Sequence, residues 1–434
     1  MTEPAAPSTP GGFGRARQND IYRAGVLGRR PRVPTDFATL ERRARRKLPA
    51  RAWAYAAGGA GGGATMRANR AAFDRWAIVP RMLRDVSRRD LGVELFGRRL
   101  PAPVLFAPVG AAGLVHPEAD VAVARAAAAL GVPYVLSSQG CAPMEECAAV
   151  MGDAPRWFQL YWSSDDALVD SLLRRAAAIR ADAVVVTLDT TMLGWRPMDL
   201  NLGSLPFARG QGIAQYTSDA RFRDLVRERI AAARASGTKP DVTVTLDAVK
   251  ALVSMSRRFP GGLLANLRSP EPRAAVETFL DVYSRPSLSW DDLATLRART
   301  DLPVLLKGVL HPDDARRAVD AGVDGIVVSN HGGRQVDGSI AALDALTGIA
   351  PAVAGRVKLL LDSGIRSGAD VFKALALGAD AVTVGRPHLY GLALAGAEGA
   401  RDAVADIIAE FDLTLGLSGL TSVAEVTKDA LQRV

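Results

Sequence analysis

The chain has 434 residues, 48% hydrophobic and 23% charged, with a formal net charge of +8; this balance fits one large globular domain or a few smaller ones and excludes a fibrous or low-complexity chain. No apolar run approaches the roughly 18 residues that a membrane span needs, and the N-terminus lacks the apolar core of a secretory signal. Two cysteines, Cys141 and Cys147, make no disulfide framework, which points to a reducing cytoplasm.

Residues 1–12 are Pro, Ala, Thr and Gly in the main and are expected to be disordered. Residues 36–57 read as one or two helices, with Thr35 or Asp36 as cap. The basic run Glu41–Lys47 lies in this helical pattern without interleaved aromatics, so it reads as a solvated helix face and not a nucleic-acid site. Gly58–Gly63 has the glycine density of a dinucleotide-binding turn. No strand precedes it, so it reads as a loop. Residues 1–99 are thus expected to be a disordered terminus followed by a helical cap segment.

From residue 100 short apolar strands alternate with Ala- and Leu-rich helical segments. The strands are expected at Val104–Pro108, Tyr134–Ser137, Trp157–Tyr161, Ala183–Leu188, Val304–Lys307, Gly325–Ser329, Val357–Leu361 and Ala381–Val384. Eight strand–helix units imply an α/β fold, a (β/α)8 TIM barrel spanning 100–434. His116-Pro117-Glu118 and His311-Pro312-Asp313 each follow a strand and open a helix, so both histidines read as helix-start residues. One connection breaks the rhythm: about 197–288 is an insertion after strand four, at the end of the barrel where active sites form. It is either a lid or a surface excursion or oligomer contact.

The strand ends are polar. They carry Ser137 and Gln139, Gln159 and Tyr161, Thr187 and Asp189, Lys307, Ser329 and His331, Asp362 to Gly364, and Gly385-Arg386. Polar caps on seven strands line a site better than they build a core. The segments Asp362–Gly368 and Gly385-Arg386-Pro387 sit where such barrels commonly hold a phosphate, with Arg366 and Arg386 to neutralise it. The most informative run is Ser329-Asn330-His331-Gly332-Gly333-Arg334-Gln335, which sets a possible base near a cation suited to a carboxylate. Four histidines without ligand spacing argue against a catalytic metal, and no G-x-S-x-G elbow supports a serine nucleophile.

Taken together, these motifs resemble the FMN-dependent α-hydroxy acid oxidase and dehydrogenase family over roughly residues 20–434. The resemblance rests on Ser329–Gln335, Tyr55 in Ala-Tyr-Ala-Ala-Gly-Gly, Phe158–Tyr161, Leu306-Lys307-Gly308, Asp362–Arg366 and Gly385-Arg386-Pro387. Gly194–Leu200 and Ile21–Gly25 are most similar to its lactate 2-monooxygenase branch.

The resemblance implies FMN as cofactor, a 2-hydroxy acid and oxygen as reactants, and a homo-oligomer of four or more chains. It implies His331 as base while two electrons pass to flavin N5, with Asp189 holding the imidazole. Arg196 and Arg334 would clamp the substrate carboxylate with Tyr55, and Tyr161 would bind its other oxygen. Pro108, Val109 and Gly110 would run past the flavin ring. Ser137, Gln159, Thr187 and Lys307 would bind the ring's polar edge. Ser329, Asp362, Gly364, Arg366, Gly385 and Arg386 would hold ribityl and phosphate.

Gln139 stands where relatives often carry an aromatic or apolar residue, which suggests a larger or more polar substrate than lactate. Tyr216 of the insertion is expected to reach into the site. The resemblance leads to a lactate 2-monooxygenase-like enzyme that uses oxygen on an L-2-hydroxy acid; an oxidase releasing 2-keto acid and H2O2, a dehydrogenase with another acceptor, and a non-catalytic flavin-binding protein are the alternatives.

Overall fold

The computed structural model describes residues 12–237 and 243–434; the expected disorder of residues 1–11 lies outside them. Eight parallel strands close into a barrel: β1 Val104–Phe106, β2 Tyr134–Ser137, β3 Arg156–Leu160, β4 Val184–Thr187, β5 Val304–Val309, β6 Gly325–Val328, β7 Lys358–Leu361 and β8 Ala381–Val384. Each strand pairs with its neighbours in chain order, and β8 pairs with β1 through Val382 opposite Val104 to close the ring. The expected bounds move by one or two residues. Pro108 and Tyr161 lie beyond their strands, and β5 runs on to Val309 with an irregularity between Lys307 and Val309.

Alternation along the strands sorts the core into two parts. Leu105, Val135, Trp157, Val185, Leu305, Val327 and Leu360 point inward and pack together, with Leu95 and Leu100 of the hairpin Val93–Leu95/Arg98–Leu100 beneath them. The alternate set, including Val104, Leu136, Phe158, Val186, Leu306 and Ile326, packs outward against the helices. Strands buried on both faces explain why they read as continuous apolar runs.

Before the barrel come helices Gly12–Val26, Phe37–Lys47, Ala50–Ala57 and Ala64–Asp74. Asp36 caps the second, accepting from the Thr39 N–H at 2.8 Å. The basic run is indeed a solvated face: Leu40 and Ala44 are buried while Arg42, Arg43, Arg45 and Arg46 are exposed. Both His116 and His311 accept a hydrogen bond at Nδ1 from a backbone N–H two residues on, from Glu118 and Asp313. The helix after His116 starts only at Ala119, two residues later than its proline suggests.

The segment 197–288 folds into short helices, the longest Ala220–Ala235 and Leu246–Arg258. Phe207, Tyr216, Phe222, Val226 and Phe279 give it a buried apolar centre continuous with the barrel's outer core. Buried Asp219 caps Ala220–Ala235 and accepts from Ser171 and Arg175 of the barrel helix Asp166–Ala178, which fastens the segment down. Among the described residues no helix is long and apolar enough to cross a membrane.

Candidate active site

One step up each strand from the inward apolar layer, the same inward direction carries polar side chains. Ser137 follows Val135 by two residues, Gln159 follows Trp157, Thr187 follows Val185, Lys307 follows Leu305, Ser329 follows Val327, Asp362 follows Leu360 and Thr383 follows Ala381. All seven are buried. Buried polar groups need partners, and most find them in each other. The Lys307 ammonium donates to Ser329 Oγ at 3.0 Å and lies 3.4 Å from Asp362 Oδ2 and 3.7 Å from Asp189 Oδ2. Asp362 also accepts from Ser329 and Thr383, each at 2.6 Å.

Burial by itself would discharge Lys307, but Asp189 and Asp362 outweigh it and raise its pKa, so the ammonium stays charged. Burial likewise opposes ionisation of Asp362 and Asp189. The Lys307 charge and the donated hydrogen bonds win at Asp362, and His331 followed by Lys307 wins at Asp189, so both carboxyls lie below the usual carboxylate range.

Above this layer the turn after β6 presents His331. Its φ of 58° is left-handed, a conformation that costs a non-glycine residue about 1–2 kcal/mol. The turn is held by the His331 N–H donating to Ser329 Oγ at 2.9 Å and the Gly332 N–H donating to Ser363 Oγ at 2.8 Å. His331 Nδ1 lies 2.7 Å from Asp189 Oδ1. An ionised carboxylate there assigns the ring proton to Nδ1 and leaves Nε2 with a free lone pair. Burial lowers the imidazole pKa and Lys307 adds to this, while Asp189 opposes. The ring is therefore neutral at neutral pH, and His331 and Lys307 together keep Asp189 ionised beside it.

The opposite wall holds two cations. Arg334 lies over the Tyr55 ring at 4.8 Å and donates to the Tyr55 and Gly58 carbonyls. Arg196 donates to the Arg334 carbonyl and to Gln335 Oε1. Burial, then the charge of Arg334, pushes Arg196 down to about 10. Arg366, partly buried and beside Arg386, is likewise pushed down to about 10. Among the described residues none of these four guanidinium groups has a carboxylate within 4.0 Å, although surface arginines of this chain pair freely. Two pairs of unneutralised guanidinium groups, Arg196 buried and the other three partly buried, call for two anions.

A single cleft joins these features. Tyr55, Pro108, Val109, Gly110, Ser137, Gln139, Gln159, Tyr161, Thr187, Arg196, Lys307, His331, Arg334, Asp362, Gly364, Arg366, Gly385 and Arg386 all line it. Two expected residues do not. Ser329, in the same polar layer, is fully buried, with its hydroxyl taken up by Lys307, Asp362 and the His331 N–H. Asp189 lies behind His331. Tyr216 also misses the cleft: its ring is buried between Phe222 and Phe279, since the apolar centre of the insertion claims it.

Phe207 lines the cleft in its place, with its ring edge-on to Tyr55 at 6.4 Å. Thr190, Thr383 and Gln335 are further site residues that sequence reasoning missed, and Ser363 stood in a polar strand end without an assigned role. Period-two counting from Ala381 would have found Thr383. Gln335 was in the motif but unassigned; it ties Arg196 to the Asp189 and Met192 carbonyls.

Among the described residues Gln159 Nε2, Thr187 Oγ1 and Arg386 Nε are buried without a partner, and all three side chains face the cleft. A polar-edged ring and a phosphate would satisfy them, so the residues present fit FMN. A barrel with such a donor set beside a histidine and a pair of unneutralised arginines is the architecture of a flavin-dependent oxidoreductase acting on small organic acids. Residues 44–433 match the model of the FMN-dependent dehydrogenase family, and the chain belongs to that family.

It is 40% identical over 404 residues to an L-lactate oxidase of Lysinibacillus sphaericus, covering 93% of this chain and 94% of the relative. It is also 40% identical over 426 residues to the FMN-dependent alpha-hydroxy acid dehydrogenase qulF of Penicillium citrinum, covering 98% and 97%. The solved structure of a mandelate oxidase with (S)-2-phenylpropionate superposes with a TM-score of 0.73 at 36% identity, covering 92% of this chain and 98% of that one. FMN is the cofactor, and the reaction class is FMN-dependent oxidation of an α-hydroxy acid.

Proposed function

We propose that this chain oxidises an L-2-hydroxy acid to the 2-keto acid and uses oxygen to complete the cycle. The observation that carries this reading is His331, paired at 2.7 Å with Asp189, facing the unneutralised Arg196–Arg334 pair across one cleft. FMN, when bound, supplies the two-electron acceptor. Arg196 and Arg334 hold the substrate carboxylate, with Tyr55 beside them. Tyr161, its phenol kept protonated by burial, donates to the remaining substrate oxygen. His331 Nε2 removes the proton, and Asp189 stabilises the imidazolium that forms. Lys307 sits as a fixed charge where electron density accumulates. Arg366 and Arg386 neutralise the cofactor phosphate, and Gln159, Thr187 and Ser137 satisfy the ring edge.

Gln139 supports a substrate with a polar side chain. Its buried side-chain amide has no partner among the described residues and lines the cleft beside Gly110 and the Tyr55 hydroxyl. An apolar substrate there would leave that amide unpaired.

The second reading is the monooxygenase outcome, in which the keto acid stays bound, reacts with nascent peroxide and leaves as a shortened acid, CO2 and water. The cover over the cleft favours it. Phe207 of the insertion closes over Tyr55, and Gly212 packs so tightly on the Gln139 carbonyl that a Cβ would approach it to 2.8 Å. On this reading the insertion is a lid. A homo-oligomer in the cytoplasm fits both readings.

Anaerobic bleaching of the flavin by a panel of 2-hydroxy acids, followed by product analysis in oxygen, tests the proposal. No bleaching by any member refutes it. Equimolar keto acid and H2O2 as sole products refute the monooxygenase outcome.

A further inference from the structure

A second cavity lies behind the wall of the active cleft. It is a groove of about 790 Å³ between the insertion helix Leu246–Arg258 and the barrel segment Gly113–Pro117, with Cys141 at its floor. Sites for small organic ligands commonly enclose roughly 300–1,000 Å³. The helix turns one face to it, spaced by its own period: Val249, Lys250, Val253, Arg257 and Arg258. Leu114 and Val115 form the apolar part of the facing wall.

Among the described residues no carboxylate lines this groove. Among the described residues neither Arg257 nor Arg258 has an acidic partner within 4.0 Å; Arg258 donates only to Ser254 one turn back. Lys250 lies 3.9 Å from Asp247, both well exposed, an arrangement worth little. Other basic side chains of the insertion, such as Arg221 with Asp165 and Glu228, do have acidic partners. An apolar trough with three cations on one edge and no acid matches a molecule with an apolar body and one anionic end.

The groove is mechanically joined to the catalytic cleft. Gln139 lines the cleft and Cys141, two residues on, lines the groove. The turn Phe207–Gly212 separates the two spaces: Phe207 faces the cleft, while Gly210 and Gly212 face the groove. The helix holds that turn directly. Ser254 Oγ donates to the Arg209 carbonyl at 2.8 Å, and a Cβ on Gly210 would come within 3.1 Å of Met255 Cα.

We propose that this groove is a binding site for a small amphiphilic organic anion, whose occupancy fixes the helix against the barrel and tightens the Phe207 turn over the active cleft. The coupling half rests on the function proposed above, whereas the binding half stands without it.

The test uses the full-length FMN-loaded protein and 8-anilinonaphthalene-1-sulfonate as the probe, followed by calorimetry and fluorescence. One saturable site per chain is expected, and Lys250→Glu with Arg257→Glu weakens it by roughly tenfold. The double variant keeps its activity without the probe. In the wild type the probe lowers kcat and KM for the 2-hydroxy acid together; in the double variant it changes neither. Val253→Trp, which fills the trough without touching charge, also abolishes binding. Unchanged affinity in the double variant overturns the site. So does competition between probe and 2-hydroxy acid, which would place the probe in the catalytic cleft. A changed oligomeric state in the double variant makes the groove a contact between copies and overturns it too. Binding without any effect on kcat or KM overturns the coupling. A protein that binds the probe but oxidises no 2-hydroxy acid instead sinks the proposed function.

Discussion

Replacing Lys307 with methionine tests the buried charge layer most severely. The ammonium lies 3.4 Å from Asp362 and 3.7 Å from Asp189. At an effective dielectric constant of about 20, each contact is worth about 4–5 kcal/mol of Coulomb attraction. Methionine keeps the volume but leaves two buried carboxylates facing each other. Asp189 retains His331, so Asp362 is the group that takes up a proton. Its unperturbed pKa of 3.8 puts the cost of that proton at pH 7 at about 4 kcal/mol, falling below about 2 kcal/mol at pH 5.

The sign follows from linkage. In the variant the folded pKa of Asp362 rises above its unfolded value, so the deficit is absent below the unfolded pKa and grows as pH rises toward the folded one. Unfolding entropy of about 2.1 cal/mol/K per residue gives a chain of this length about 0.9 kcal/mol/K. The midpoint of FMN-saturated variant should therefore lie about 4–5 °C below the wild type at pH 7 and about 2 °C below at pH 5. Thermal melts followed by circular dichroism at pH 5, 6, 7 and 8 measure this. A pH-independent deficit, or one under about 1 °C at pH 7, refutes the assignment of Lys307 as the charge that holds Asp362 ionised.

The remaining expectations concern the cleft. His331→Ala should retain FMN, read from its absorbance after gel filtration, yet lose substrate-dependent bleaching by at least about 10³-fold; substantial activity removes histidine from the mechanism. Arg196→Met should lower kcat/KM by roughly 30- to 150-fold, the value of a charge-assisted hydrogen bond of about 2–3 kcal/mol, and neutral amides of the substrate should not feel the change. Because burial holds the His331 pKa below 6.5, kcat/KM should be level near pH 7 and fall only on the acid side of that value; an acid limb centred above pH 7 contradicts a neutral resting imidazole. Gln139→Leu should shift preference toward 2-hydroxy acids with apolar side chains by roughly tenfold or more, read as a ratio of kcat/KM values; an unchanged ratio excludes Gln139 from side-chain recognition.

The heptapeptide Ser329–Gln335 shows how far local sequence reaches. The glycines, the strand before them and the rhythm of eight strands were legible because each is written in neighbouring residues: period-two alternation, apolar runs, turn chemistry. The polar strand ends were legible for the same reason. The partners of these residues were visible only through the family resemblance, since Asp189 and His331 lie 142 residues apart. The insertion shows the opposite limit. Tyr216 and Phe207 are both aromatic, nine residues apart in loop-rich sequence, and nothing local says which one faces the cleft. Packing decided it, because Tyr216 completes a buried cluster with Phe222 and Phe279 and Phe207 is the ring left at the edge. Ser329 shows the same effect: its sequence position suits a cleft-lining hydroxyl, but the hydrogen-bond demands of Lys307, Asp362 and the His331 N–H draw it beneath the surface.

By itself, the sequence determined the barrel, its order of strands and the polar layer, because alternation along a strand commits every second side chain to the interior wherever the strand ends up. Only the tertiary structure decided which of those polar groups remain free. Closure of the ring brings Lys307, Ser329, Asp362 and Thr383 close enough to satisfy one another, and leaves Gln159, Thr187 and Arg386 with unmet hydrogen-bonding capacity. The groove beside Cys141 belongs to the same category, since its walls come from segments more than a hundred residues apart and exist only once the insertion is seated on the barrel.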